Sequence, residues 1–120
     1  MKYYSSFEIT AENCLNNRAI NYGDGLFETM LIKNNEIPLW DLHWQRLSTS
    51  LVLLGLQPID ENLIHNKALS LVGDNQMHVL KLVVFRDDKK RGYASDSQKS
   101  HFFMTLNAYK KTKQYEQLTC

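Results

Sequence analysis

Arg46, Lys81 and Arg91 are the residues of this chain whose type and setting point most directly to chemistry, and that chemistry is the holding of anions. Arg46 belongs to the run Asp41-Leu-His43-Trp44-Gln-Arg46-Leu47. On a helix the i, i+3 spacing puts His43 and Arg46 on one flank, beside the apolar stripe and not opposite it. From there a guanidinium can be aimed into a cleft; the plain alternative is a solvated helix charge. Lys81 lies within Val79-Leu-Lys-Leu-Val-Val-Phe85, where strand alternation gives it the same face as Val79, Val83 and Phe85 and gives Arg86 the opposite one. A lysine there either snorkels to solvent at a sheet margin or points its ammonium into an anionic pocket. Arg91 opens Arg91-Gly92-Tyr93 after the charged stretch Asp87-Asp88-Lys89-Lys90, and its plain reading is a loop arginine in solvent.

A second group of residues precedes these. Gly23-Asp24-Gly25 leads directly into Leu26-Phe27-Glu28-Thr29. The glycines permit positive φ and close backbone approach, and Asp24 can hydrogen-bond its own backbone, so the segment predicts a tight turn into a strand. Phe27 is expected to be a packed core aromatic. Glu28 is either a pocket acid or one half of a salt bridge at a strand edge.

The elements that must position these groups follow from periodicity. Residues 3 to 9 predict a short strand, 26 to 33 a second, and 36 to 39 its hairpin partner across Asn34-Asn35, with Pro38 confining that partner to an edge. Apolar residues at 40, 44, 47, 51 and 54 mark an amphipathic helix, with Asp41 as N-cap and Gly55 as C′ residue. Asp60 can start a second helix carrying Ile64, Ala68, Leu71 and Val72 on one side, which Gly73 can stop. Residues 78 to 86 predict a central strand, 102 to 109 a last one, and 87 to 100 a long polar hairpin loop. The order predicts an α+β fold, a mostly antiparallel sheet with two consecutive helices on one side.

A chain of 120 residues suits one compact domain spanning 1–120. Its net charge of +1 gives no argument for a nucleic-acid or membrane partner, and no apolar run is long enough for a membrane span. Met1-Lys2-Tyr3-Tyr4 lacks the apolar core of a secretory signal, so a cytoplasmic location is the expectation. Cys14 and Cys120 form no disulfide framework, and His43, His65, His78 and His101 are scattered, so no metal site is expected.

Taken together, the Tyr22-Gly23-Asp24-Gly25-Leu-Phe27-Glu28 segment, His43-Trp44-Gln-Arg46-Leu47 and the Lys81…Arg86…Arg91-Gly92-Tyr93 pattern resemble the N-terminal domain of the class IV (fold-type IV) pyridoxal-phosphate enzymes over roughly residues 16 to 109. That family includes branched-chain and D-amino-acid aminotransferases and aminodeoxychorismate lyase, and the last pattern looks most like the lyase branch. The resemblance implies that Arg46 contacts the phosphate of pyridoxal 5′-phosphate (PLP), a role a planar, permanently charged fork suits. It implies that Lys81 and Arg91 grip the carboxylates of 4-amino-4-deoxychorismate, a small-molecule substrate split into 4-aminobenzoate and pyruvate in folate synthesis. In place of the small, glycine-rich loop usual before Arg-Gly-Tyr, this chain has Asp87-Asp88-Lys89-Lys90. Phe27 stands where some aminotransferases of the family carry a carboxylate-binding tyrosine and lacks its hydroxyl. The Schiff-base lysine of such enzymes lies in a larger C-terminal domain, and no lysine here matches its motif. The expectation is therefore a domain inactive alone, which completes its site with the large domain and forms a homo-oligomer. Transamination of a branched-chain or D-amino acid, and a non-enzymatic remnant or interaction domain, are the alternative readings.

Overall fold

The computed structural model describes residues 2–9, 25–87 and 98–109. Within them the chain forms β1 (Lys2–Ser5), β2 (Gly25–Ile32), α1 (Trp40–Leu53), α2 (Glu61–Ser70), β3 (His78–Arg86) and β4 (Ser100–Ala108). The strands make one antiparallel sheet in the order β1-β4-β3-β2. This is the predicted α+β architecture, with the apolar stripes of both helices in one core with the sheet.

Alternation assigns the faces. Met30 and Ile32 of β2, Leu80, Leu82 and Val84 of β3, and Phe102, Met104 and Leu106 of β4 are buried with Leu47 and Leu51 of α1 and Ile64 and Ala68 of α2. Each of the larger of these side chains contributes roughly 1.5–3 kcal/mol when fully withdrawn from water. The helices are also tied to each other. The Trp40 ring meets His65 of α2 edge-on at 4.7 Å, and its indole Nε1–H donates to Glu61 at 2.9 Å. Arg86 lies on the helix side, as alternation predicts, and its guanidinium donates to the Leu54 carbonyl at the end of α1.

The opposite face carries an aromatic cluster at one end. Phe7 meets Phe85 edge-on at 5.2 Å and approaches Phe103 at 6.4 Å, and Val83 and Phe85 are buried on this side too. Phe27 lies on the same face, at the sheet edge formed by β2, and is 58% exposed. The expectation of a packed core aromatic is thus corrected: Phe27 has the outward parity, opposite to Glu28, Met30 and Ile32, which face the helices.

Asn34 and Asn35 adopt φ of 52° and 60°, the conformation a tight two-residue hairpin turn requires, and Lys33 and Glu36 exchange both backbone hydrogen bonds. The predicted partner strand over 36–39 does not form. Only the Lys33–Glu36 bridge exists, because Ile37 turns into the core, Pro38 has no N–H, and Leu39 flips to φ 61°. Leu39, not Asp41, is therefore the N-cap of α1; Asp41 lies in the first turn, where its charge still favours the helix dipole. At α2 the predicted N-cap holds, since Asp60 accepts from the Leu63 N–H at 3.0 Å. The helix stops earlier than expected, at Ser70 with Leu71 as C-cap, so Leu71 and Val72 pack against the core from beyond its end. Gly55, with φ 70°, follows the C-cap Leu54 as expected.

Candidate functional site

Glu28 occupies an inward position of β2, in the same parity as Met30 and Ile32, so its carboxylate meets α1. Two α1 residues on one flank converge on it. Arg46 Nε donates to Oε1 at 2.7 Å and Nη2 to Oε2 at 2.8 Å, a bidentate pair. His43 Nδ1 lies 2.9 Å from Oε2. An ionised carboxylate only accepts, so this nitrogen carries the proton. The predicted sharing of one flank by His43 and Arg46 is thus realised, and of the two readings of Glu28 the structure selects the ion pair.

Exposure is graded across this cluster. Glu28 retains 5% of its side-chain surface, His43 17% and Arg46 68%. Burial pushes the Glu28 carboxyl up, but the hydrogen bonds from Arg46 and then His43, with their charges, more than offset it and leave the pKa below the usual 4.5. The same bonds raise the Arg46 guanidinium further. A folded-state pKa below the unfolded value means that stability from Glu28 is present above pH 4.5 and lost as pH falls through the lowered value. Thermal melts of the wild type and Glu28→Gln taken across that acid window are expected to converge as pH falls. Asp74, held low by hydrogen bonds from His78 and from the Gln76 N–H, titrates in both proteins and cancels in the difference. Parallel curves for the two proteins would remove Glu28 as a source of acid sensitivity.

Lys81 is on the other face of the sheet, exposed, opposite Thr29 and diagonal to Phe27. Its Nζ lies over the Phe27 ring, 5.2 Å from the centroid. Among the described residues it makes no ion pair. A cation–π contact at an exposed site is worth only about 0.5–1 kcal/mol, so the ammonium can leave the ring for an anion. The sheet therefore separates Arg46, on the helix side, from Lys81, on the outward side. Arg91 lies outside the described residues, as do Gly23 and Asp24.

A cavity of about 380 Å³ is lined by Thr29, Met30 and Leu31 of β2, His43 of α1, Val79 of β3, and Met77 and Tyr109 where β3 begins and β4 ends. His43 links it to the Glu28 cluster; neither Arg46 nor Lys81 lines it. The residue that sequence reasoning undervalued is Glu28. The available signal was an acid in phase with Met30 and Ile32, on a face that must bury, with a helix arginine able to reach it. Among the described residues no helix is long and apolar enough to cross a membrane.

Comparison with known proteins adds the family context. A family profile described as amino-transferase class IV matches residues 25–120. No curated protein sequence matches the chain. Among solved structures, 4-amino-4-deoxychorismate lyase from Pseudomonas aeruginosa is 28% identical, with a TM-score of 0.69 over 90% of this chain and 39% of its own. The branched-chain aminotransferase of the archaeon Thermoproteus uzoniensis, solved with norvaline, gives a TM-score of 0.73 at 18% identity over 92% of this chain and 41% of its own. A hypothetical aminotransferase from Mycobacterium tuberculosis in its PLP-bound form gives 0.59 at 19% identity over 86% of this chain and 35% of its own. The latter two likenesses concern the fold. The chain spans about two fifths of the length of the first two of these structures.

Proposed function

We propose, given that this chain belongs to the amino-transferase class IV family, that it is the small N-terminal domain of an aminodeoxychorismate lyase-like PLP enzyme. The reaction is the conversion of 4-amino-4-deoxychorismate to 4-aminobenzoate and pyruvate. What supports this reading most is the 28% identity to the Pseudomonas aeruginosa lyase over 90% of the chain. The Lys81…Arg91-Gly92-Tyr93 pattern adds to it.

The donor set fits the cofactor. Arg46 offers a guanidinium of which two nitrogens are held by Glu28 while most of the side chain faces solvent, so N–H groups remain for a phosphate. PLP, when bound, would supply an electron sink for removal of the proton on the amino-bearing carbon. The residues of this chain bind and orient: Arg46 the cofactor phosphate, Lys81 and Arg91 the substrate carboxylates, with the site running along the β2 edge of the sheet, because Arg46 and Lys81 approach it from opposite faces. The Schiff-base lysine comes from a larger C-terminal domain, so the 120 residues alone are inactive. The purified chain mixed with PLP is expected to give no pyruvate from aminodeoxychorismate; turnover with borohydride labelling of one specific lysine would overturn this half-site reading.

Substrate choice is tested in a protein that joins the chain to the large domain. Lys81→Met, which keeps the apolar stem and removes the ammonium, is expected to lower kcat/KM for aminodeoxychorismate by roughly tenfold while PLP affinity stays within twofold. Wild-type-like kinetics would sink the lyase assignment. Robust amino transfer from branched-chain donors by the parent protein would favour the aminotransferase reading, which the TM-score of 0.73 to the Thermoproteus enzyme keeps as the second choice.

A further inference from the structure

The geometry points to Glu28 as a positioning residue that, steadied by His43, turns Arg46 into a preformed phosphate fork. This rests on the reading that Arg46 meets a phosphate. A guanidinium has two edges able to make paired hydrogen bonds, one through Nε and Nη2 and one through Nη1 and Nη2. Glu28 takes the first edge completely, with Nε on one oxygen at 2.7 Å and Nη2 on the other at 2.8 Å. The second edge, both Nη1–H groups and the remaining Nη2–H, makes no hydrogen bond among the described residues, and the side chain is 68% exposed.

The anchor is buried where the fork is exposed. Glu28 is 5% exposed on a strand paired along its whole length with β3, and His43 holds its Oε2 from the same helix that carries Arg46. An arginine left free on a helix surface samples many rotamers and loses that freedom on binding, whereas one already clamped has lost it on folding. The carboxylate has an opposing effect, because it cancels charge next to an incoming anion. The two effects predict opposite signs for the removal of its charge. Preorganisation predicts weaker phosphate binding in Glu28→Gln; simple neutralisation predicts tighter binding.

The experiment uses the 120-residue chain with nitrogen-15 arginine side chains, titrated separately with inorganic phosphate and with PLP. Before any anion is added, the Arg46 Nη1 and Nη2 resonances are expected to be distinct, because the clamp slows rotation of the guanidinium. Each probe should then shift Nη1 most, and Glu28→Gln, checked for a native fold by circular dichroism, should bind each probe roughly fivefold to twentyfold more weakly. Averaged Nη resonances in the wild type overturn the positioning role without any variant having to fold. So does unchanged or tighter binding by Glu28→Gln while Arg46→Ala still weakens it. Arg46 resonances that neither probe moves, with Arg46→Ala binding as the wild type does, overturn the phosphate reading itself and with it the role of Glu28.

Discussion

Arg46→Ala, in a protein that joins this chain to the large domain, is expected to weaken PLP binding by roughly tenfold to a hundredfold, the loss of one charge-assisted phosphate contact. The measurement is a cofactor dissociation constant from absorbance or fluorescence titration. The structure adds a second consequence, since the same guanidinium holds both oxygens of the Glu28 carboxylate. Its removal leaves a buried acid with His43 alone, and a buried charge stripped of its partner destabilises far more than a lost surface charge does. A lower melting temperature should therefore accompany the loss of affinity. Adding Glu28→Met to Arg46→Ala removes the stranded charge while keeping an apolar stem of similar length. The double variant is expected to regain thermal stability and to remain as poor a PLP binder as the single one. An unchanged dissociation constant in Arg46→Ala would take Arg46 out of the cofactor site.

Leu82→Ala is expected to destabilise the fold by about 2–5 kcal/mol. Leu82 has no exposed surface, lies on β3 between β2 and β4, and is in register with Glu28 on one side and Met104 on the other. A domain of this size has about 5–15 kcal/mol of stability in all, so the loss approaches the scale of the whole and withdraws support from under Glu28. Leu53→Ala provides the contrast: its parent side chain is 81% exposed at the end of α1, and a change within about 0.5 kcal/mol is expected. Urea denaturation, with the slope unchanged and the midpoint shifted, reads both. A loss below about 1 kcal/mol for Leu82→Ala would mean that the core between sheet and helices collapses around the missing atoms.

The fold was legible from the chain wherever short-range sterics decide. The spacing of Trp40, Trp44, Leu47 and Leu51 marks α1, Asp60 caps α2, and Asn34-Asn35 turns the chain. Alternation put Lys81 and Arg86 on opposite faces of β3, where the structure has them. It failed over 36–39, because Pro38 and the left-handed Leu39 end the ladder after a single bridge, and Leu39 takes the capping position that Asp41 had been expected to fill. Both corrections come from how the turn enters the helix, a matter of successive dihedrals that residue type alone constrains weakly.

Residue types and periods by themselves determined the α+β class, the opposite faces of Lys81 and Arg86 on β3 and the cationic character of positions 46 and 81. They also carried the resemblance to the class IV family that residues 25–120 match. Only the tertiary structure decided that Phe27 is exposed under the Lys81 ammonium, that the sheet stands between Lys81 and Arg46, and that Glu28 clamps Arg46 with His43 behind it. The reason is physical: parity and helical period are set by neighbouring backbone atoms. The partner of Glu28 lies on a helix 15 to 18 residues further along. That pairing exists only once the helix has docked against the sheet and excluded water from the carboxylate.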